Sequence, residues 1–224
     1  MNRILHGFAH PFRKFNNLKL FVKKLIIVAA GLAIVLGFAT ALWLLKPKPV
    51  QLQAITWLGD QAKPLPAFAL NDHNGQPFTD QTLKGRWNLL FFGYTNCPDI
   101  CPDTLQMLSN MVAQINDPEV IKQLQITFIS VDPERDTPDK MKTYVTYFNK
   151  DFNSARAELD EVNKLTDALG ILHYIVKSSD GSVYEVAHSG ALTLIDPQGR
   201  FIGVFSTPHD SAKIAHDLSA IINQ

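Results

Sequence analysis

Residues 91–102 read FFGYTNCPDICP and join an apolar, strand-like run to the start of a helix-like one. This junction carries Cys97 and Cys101, the only two cysteines of the chain. Proteins that alternate strands and helices place their chemistry at such junctions, beyond the carboxyl end of a strand. Because Pro102 lacks an N–H and disfavours helical geometry at the residue before it, we predict that the helix begins at Pro102. Residues 97–101 would then form a separate tight turn that caps this helix.

Two thiols in such a turn lie near the positive end of the helix dipole, which favours thiolate over thiol. A disulfide between Cys97 and Cys101 is geometrically feasible, but the short loop that it closes would give it only about 2 kcal/mol of stabilisation. We therefore interpret the pair as reversible. It is a dithiolate that can hold a soft metal ion, or a disulfide when an oxidant is present and the metal is absent.

The overall charge of the chain is zero, but it is unevenly distributed. The 224 residues carry 21 Lys+Arg and 21 Asp+Glu. Residues 1–24 contain 6 of the basic residues and no acid, which leaves 15 basic against 21 acidic residues, a net charge of −6, for the rest. This distribution excludes a nucleic-acid-binding protein. The length accommodates one globular domain and an appendage.

Residues 25–45 form an uncharged apolar run of 21 residues, long enough to cross a bilayer. Six basic residues precede the run, and only Lys46 and Lys48 follow it closely, so the positive-inside rule places the N-terminus in the cytoplasm. The rest would lie outside the inner (cell) membrane, in the periplasm of a Gram-negative bacterium. A cleaved signal peptide is the alternative, since residues 39–41 have a small-x-small pattern. The apolar run continues past that cut, which favours a single-pass anchor.

The sequence divides into four parts: a cytoplasmic basic N-terminus (1–24), a transmembrane helix (25–45), an extended proline-containing tether (46–63) and a folded domain (64–224). Apolar runs and turn residues predict strands at 64–70, 77–85, 88–94, 126–131, 171–176, 183–187, 191–195 and 201–205. A turn at 179–181 would join two of them in a hairpin. Helices are predicted from residue 102 to a stop at 116–118, then at 138–148, 160–169 and 211–222.

This order of elements predicts a thioredoxin-like α/β fold, with a mixed sheet and flanking helices on both faces. The strand at 88–94 is apolar throughout, which is typical of a strand buried on both faces. In the segment 132–138, Thr137 is a predicted N-cap and Pro138 the first helical residue, which explains most of that motif. Its position after a strand would also let this segment line the site or contact a partner protein. Met107 and Met111 fit the core side of the first helix better than a thioether site.

Two thiolates do not satisfy a metal ion, so a third ligand is required. His6 and His10 precede the predicted span and would lie on the opposite side of the membrane from the cysteines. A surface or packing role is favoured for His73, His173, His209 and His216. His188 ends a predicted strand where the chain changes direction, so its side chain can project toward the cysteines. The residues alone support a generic role and a ligand role for His188 equally.

Three motifs together closely resemble the Sco/SenC family of copper-delivery proteins. They are GYTNCPDICP at 93–102, SVDPERDTP at 130–138, and His188 ahead of LIDPQG at 194–199. The resemblance covers roughly residue 64 to the C-terminus. A single membrane anchor in front of an outward-facing domain also fits this family.

The resemblance implies that Cys97, Cys101 and His188 bind one copper ion, either Cu(I) or Cu(II). It also implies that the acceptor is cytochrome c oxidase subunit II, whose dinuclear copper site contains two cysteines. The family often has an aspartate just before this histidine, whereas this chain has Ala187. A carboxylate that could orient the imidazole is then missing, or its role is supplied elsewhere.

Coordination chemistry favours the same ion. Thiolates are soft ligands that select Cu(I), and copper outcompetes zinc for a fixed ligand set. Three ligands leave one position open, which suits a site that hands its ion on. The main alternative is a membrane-anchored thiol-disulfide oxidoreductase, which needs both cysteines but not His188. The spacing of the cysteines and the proline after each argue against it. A peroxide-reducing enzyme and a purely structural module are weaker alternatives, and the oligomeric state is not indicated.

Overall fold

The structure is a computed structural model that describes residues 12–44, 51–177 and 184–223. Its first element, α1 (Phe12–Leu44), is a helix of 33 residues. Within α1, the segment Leu20–Trp43 is exposed throughout and is long and apolar enough to cross a membrane. The helix predicted at 25–45 is therefore present as far as Leu44, and its insertion into a membrane stays a prediction. The outlying residues His6, His10, Lys46 and Lys48 lie outside the described ranges.

The strands are β1 (Ile55–Trp57), β2 (Lys63–Pro64), β3 (Ala69–Asp72), β4 (Pro77–Thr79), β5 (Trp87–Gly93), β6 (Leu124–Ser130), β7 (Asn153–Arg156), β8 (His173–Lys177), β9 (Tyr184–His188), β10 (Leu192–Ile195) and β11 (Arg200–Phe205). The helices after α1 are α2 (Ile100–Gln114), α3 (Pro118–Gln123), α4 (Pro138–Phe148), α5 (Leu159–Leu169) and α6 (Ser211–Ile222). A short 3-10 helix, Gly59–Gln61, lies between β1 and β2.

Nine of these strands form one sheet in the order β1-β11-β10-β5-β6-β7-β3-β4, with β2 also paired to β11. The central strands β5, β6 and β7 run parallel. The pairs on either side of them are antiparallel. The sheet is therefore mixed, as the order of elements predicts. β8 and β9 form a separate antiparallel pair outside this sheet.

β5 lies in the middle of the sheet and is buried on both faces, as its apolar sequence predicts. Leu89 and Phe91 belong to a core that includes side chains from α2, α4 and α6. Leu90 and Phe92 belong to a second core, which includes side chains from α5 and β3. Helices thus cover both faces of the sheet, and the carboxyl end of β5 lies between these two layers of helices.

The structure differs from the prediction at α2, which begins at Ile100 rather than at Pro102. Pro102 then lies in the first helical turn, where N–H groups have no intrahelical partner, so its missing N–H costs no hydrogen bond. The side chain of Cys101 packs in the core, and this burial offsets the preference of a pre-proline residue for extended geometry. The cysteines therefore do not share one turn. Cys97 lies in the loop and Cys101 in the first turn of the helix.

The sequence analysis did not predict α3 and β7. α3 begins directly after Asp117, whose side chain accepts the N–H of Glu119 at 2.9 Å, in a region predicted only as a helix stop. β7 has the polar sequence NSAR and forms because it pairs with β6. The predicted turn at 179–181 lies outside the described residues, but the two strands that it would join form the predicted antiparallel hairpin.

The extended tether predicted at 46–63 also differs, because its described part packs onto the folded domain. β1 pairs with β11. The N–H groups of Gln53, Ala54 and Ile55 donate to the carboxylate of Asp217 on α6, at 2.8–3.0 Å. The Asp217 side chain is fully buried. Its carboxylate therefore fixes the chain just before the first strand of the sheet.

Asp217→Ala is expected to lower the free energy of unfolding by about 3 kcal/mol at neutral pH, because three N–H groups lose a charged acceptor. Burial acts to raise the pKa of Asp217, but these N–H groups and His216 outweigh it and hold the pKa below its usual value. Stability from a lowered carboxyl pKa is present above the unfolded pKa of about 3.9 and is lost as the pH falls through the folded pKa.

Urea unfolding measured from neutral to acidic pH checks this prediction, since the variant and the wild type should converge as the pH falls below about 4. Asp210→Ala, which removes the exposed N-cap of the same helix, should cost only about 1 kcal/mol. A loss for Asp217→Ala that stayed constant with pH would contradict the role assigned to its carboxylate.

Candidate metal centre

Two cysteines and a histidine meet beyond the carboxyl end of β5. The chain turns after Gly93, and the N–H of Cys97 donates to the carbonyl of Tyr94 at 3.2 Å. Cys101 follows in the first turn of α2. β9 ends at His188, whose ring contacts the sulfur of Cys101. The structure therefore brings together the three residues singled out in the sequence.

The donor atoms of Cys97, Cys101 and His188 all lie within 4.8 Å of one another. The Nε2 atom of His188 lies 3.3 Å from the Sγ of Cys101. Cys101 is fully buried, whereas Cys97 and His188 are partly exposed. One ion with bonds of about 2.0–2.3 Å to nitrogen and sulfur would bridge separations of this size. In the described ranges, no second group of histidine, cysteine or carboxylate ligands converges in this way.

The other described histidines have different hydrogen-bond partners. These are Ser154 for His73 (2.8 Å), Asn163 for His173 (3.0 Å), the Gly190 carbonyl for His209 (2.8 Å) and Asp217 for His216 (3.1 Å). His173 lies directly opposite His188 in the β8–β9 pair, yet its ring contacts α5 rather than the sulfurs. These positions agree with the surface or packing roles favoured from the sequence.

The tautomer of His188 follows from its second ring nitrogen. Nδ1 lies 3.1 Å from the carbonyl oxygen of Ser189, which can only accept a hydrogen bond. In the neutral ring, Nδ1 therefore carries the proton and Nε2 is the nitrogen with a lone pair on the side of the sulfurs. A backbone carbonyl thus orients the imidazole in a chain that has Ala187 where the family often has an aspartate.

The two thiols differ in acidity because they share a hydrogen bond. Donation from Cys101 lowers the pKa of Cys97, burial opposes this effect, and His188 adds to the lowering. The same bond raises the pKa of Cys101, and burial raises it further. Cys97 is therefore the thiolate of the pair, and it is also the more accessible of the two sulfurs.

A glycine at the end of β5 makes room for the buried sulfur. A Cβ atom at Gly93 would lie 2.5 Å from the Sγ of Cys101 and 2.8 Å from the ring of Phe128. Both separations are well inside van der Waals contact. Sequence reasoning missed this role, although a glycine inside a strand is a known sign of a close approach.

The segment 132–138 also supports the loop that carries Cys97. Thr137 caps α4 and accepts the N–H of Lys140 at 3.3 Å, as the sequence predicts. Asp136 is fully buried and accepts from the hydroxyls of Thr95 (2.5 Å) and Ser130 (2.7 Å). Burial raises the pKa of Asp136, against the effect of these donors. Because Thr95 lies two residues before Cys97, Asp136 fixes the beginning of this loop.

A cavity of about 290 Å³ opens beside the donor atoms. Its lining includes Cys97, His188, Pro98 and Ile100, while Cys101 lies behind it. The side chain of Ile100 is 48% exposed at its edge. A molecule entering this cavity would meet Cys97 and His188 before the buried sulfur.

The mixed sheet, its flanking helices and a thiol–imidazole cluster at the end of the central strand define a thioredoxin-like domain with a candidate soft-metal centre. The family model described as SCO1/SenC matches residues 59–223. The chain therefore belongs to the SCO1/SenC family, in agreement with the resemblance of its three motifs.

Relatives from several organisms share this domain. The SCO2-like protein of Rickettsia typhi is 34% identical over 189 residues, which cover 82% of this chain and 90% of the relative. The structure of Bradyrhizobium japonicum ScoI with copper bound is 34% identical, with a TM-score of 0.63, and the match covers 70% of this chain and 99% of that one. Yeast Sco1 with copper bound is 29% identical, with a TM-score of 0.65 and coverage of 72% and 90%.

Proposed function

We propose that this protein is a membrane-anchored copper chaperone. It binds one copper ion through Cys97, Cys101 and His188, and it delivers the ion to the dinuclear copper site of cytochrome c oxidase subunit II. The observation that carries this proposal is the convergence of two sulfurs and an imidazole nitrogen within 4.8 Å. The copper bound to two related structures supports the choice of ion.

The chemistry of the donor set fits a transient cargo. Two thiolates and an imidazole suit Cu(I), and three protein ligands leave a position open for an incoming ligand. Cys97 lines the open cavity, so a thiol of the acceptor can approach the ion from that side. The ion can then pass by ligand exchange, with acceptor thiols replacing the donors of this chain one at a time.

The proposed topology follows from α1 and the charges around it. The basic N-terminus, 1–24, would lie in the cytoplasm, and 25–45 would cross the inner membrane once. The copper-binding domain would then lie in the periplasm. The domain proposed at 64–224 gains residues 51–63, since that segment packs against β11 and α6.

A thiol-disulfide oxidoreductase remains the second candidate, and the unequal thiols favour it. Cys97 is the accessible sulfur with the lowered pKa, and Cys101 is buried behind it. In that reaction the Cys97 thiolate attacks an acceptor disulfide and releases one acceptor thiolate. Cys101 then displaces the second acceptor thiolate and leaves the Cys97–Cys101 disulfide. This activity would keep the acceptor cysteines reduced, but it gives the imidazole of His188 no role.

A copper titration tests the proposed function. The full-length chain in detergent, with reduced thiols, is expected to retain one Cu(I) per chain against a weak Cu(I) chelator, because both sulfurs can bind the ion once it displaces the proton of Cys101. The same chain with Cys97 and Cys101 oxidised to a disulfide is the matched control, and it should retain none. Equal retention in the two redox forms would contradict the proposed ligands.

Delivery is tested by mixing the copper-loaded chain with the copper-free soluble domain of subunit II. We expect copper to leave the chain and to be recovered on the acceptor after the two proteins are separated, with two loaded chains needed to fill each dinuclear site. The oxidoreductase alternative predicts a different result, in which an oxidised acceptor gains thiols while the chain gains a disulfide and no copper moves.

A further inference from the structure

The strand that carries His188 is not part of the main sheet. β9 pairs only with β8 in the described part of the chain, in a hairpin whose register sets His173 opposite His188 and Lys177 opposite Tyr184. The position of the imidazole therefore depends on what holds this hairpin to the rest of the domain. Tyr184 and His188 are the two ends of β9, so a contact at Tyr184 acts on the imidazole through one short strand.

Three side chains fasten the Tyr184 end of the hairpin. The Nη1 of Arg135 donates to the carbonyl of Tyr184 at 3.0 Å, and its guanidinium carbon lies 3.8 Å from the centre of the Tyr184 ring. The hydroxyl of Tyr184 donates to Asp132 at 2.9 Å. Asp132 is 4% exposed and also pairs with the Nε of Arg135. We call Asp132, Arg135 and Tyr184 the hairpin clamp.

The clamp also reaches the imidazole through a ring. The guanidinium of Arg135 lies 5.5 Å from the centre of the Tyr94 ring. Tyr94 also packs against His188, with ring centres 5.9 Å apart and planes at 87°. A cation near an aromatic ring and an edge-to-face ring pair are both favourable arrangements. Arg135 thus supports the hairpin backbone and the ring that packs against His188.

Two members of the clamp, Asp132 and Arg135, lie in the same segment as Asp136, which holds the loop that carries Cys97 through its bond to Thr95. The segment 132–138 therefore contacts both halves of the candidate site. Its arginine and first aspartate hold the histidine side, and its second aspartate holds the cysteine side. Capping of α4 explains Thr137 and Pro138, but it does not explain why Arg135 and Asp132 are paired and turned toward Tyr184.

We propose that the hairpin clamp is a positioning device for His188. It holds the imidazole against the sulfurs, and loosening it lets the hairpin carry the imidazole away. This proposal rests on the proposed copper site. If His188 binds the ion, Arg135 controls how fast the ion is lost. Arg135 acts through His188 and is not itself a ligand.

Arg135→Met is the test variant, and Arg200→Met is its matched control. Arg200 also pairs with a buried aspartate, Asp196, but it lies in β11 and, among the described residues, makes no ion pair or side-chain hydrogen bond with the hairpin. In the copper-free reduced protein, amide hydrogen exchange in 173–177 and 184–188 should rise at least about tenfold in Arg135→Met and stay unchanged in Arg200→Met. Unchanged exchange in Arg135→Met would overturn the clamp.

The rate of Cu(I) loss to a chelator gives the second measurement. Arg135→Met should accelerate that loss about tenfold, the usual effect of removing a residue that orients a ligand. In a His188→Ala background the same substitution should cause no further acceleration, because its route of action is gone. Equal acceleration in both backgrounds would show a general structural effect and overturn the proposal.

Two further variants keep the test informative. Arg135→Met leaves the buried carboxylate of Asp132 without its cationic partner, which could prevent folding. The double variant Asp132→Asn with Arg135→Met removes that buried charge. It should fold if the single variant does not, and it should show the same rise in hairpin exchange. Tyr184→Phe keeps the ring but loses the hydroxyl, and should give a smaller rise. If the wild-type chain retains no copper, the proposed function fails, and the exchange measurement alone decides the clamp.

Discussion

Substitution of either cysteine by serine is expected to abolish stable copper binding. A serine hydroxyl is a hard, uncharged donor at neutral pH, so it does not replace a soft thiolate toward Cu(I). Structural zinc sites in proteins bind their ion with about 10–16 kcal/mol, which sets the scale for this estimate. Loss of one donor in three would then cost about 4 kcal/mol, which is about a thousandfold in Kd.

Competition with a Cu(I) chelator measures this loss in Cys97→Ser and Cys101→Ser. Cys97→Ser is the cleaner variant, because Cys97 lies in the loop and is partly exposed, whereas Cys101 is buried in the core. Met107→Leu is the control, since it removes another sulfur from α2 that packs against the core. It should bind copper like the wild type. One-to-one copper loading in either serine variant would show that the ligand set is wrong.

His188→Ala is expected to weaken copper binding at least about tenfold while leaving the redox chemistry of the cysteines nearly intact. The imidazole supplies one of three proposed donors, so its loss acts directly on the ion. Its effect on the thiols is limited to a hydrogen bond with Cys101 and a minor contribution to the lowered pKa of Cys97, and such a bond is worth about 1 kcal/mol. For a two-electron couple this corresponds to about 20 mV. The midpoint potential should fall by no more than that, since the bond stabilises the reduced pair.

A copper titration and a glutathione redox titration, run on the same variant, separate the two effects. His173→Ala is the matched control, because His173 pairs with His188 in the hairpin but its ring contacts Asn163. The control should leave copper affinity unchanged. If His188→Ala bound copper normally and the wild type reduced an acceptor disulfide rapidly, the oxidoreductase function would replace the chaperone function.

The sequence predicted features that short-range patterns encode. The unbroken apolar run of β5 indicated a strand buried on both faces, and the structure confirms it. Thr137 and Pro138 indicated the start of α4, which begins at Pro138. The positions of Met107 and Met111, four apart on α2, indicated helix core; Met111 is buried in the core, and Met107 is partly buried and packs against it. In each case the residues that decide the structure lie within a few positions of one another.

Features that depend on distant contacts were not predictable in the same way. Nothing local to residues 53–55 shows that their N–H groups meet Asp217, more than 160 positions away. The helix start at Ile100 depends on burial of Cys101, which outweighs the local effect of Pro102. The orientation of His188 comes from a backbone carbonyl, an acceptor that every residue possesses and that a sequence therefore cannot single out.

The hydrogen bonds from the N–H groups of residues 53–55 to Asp217 connect an early part of the chain to helix α6, near its C-terminal end. During synthesis, β1 gains its carboxylate acceptor only after residue 217 has left the ribosome. A product of a premature stop codon before that point would leave the edge of β11 open to other chains. Without its bonds to Asp217, β1 would detach from β11 more easily and be open to quality-control proteases. Short truncations at the 3′ end of the coding sequence should therefore reduce the amount of protein in the cell.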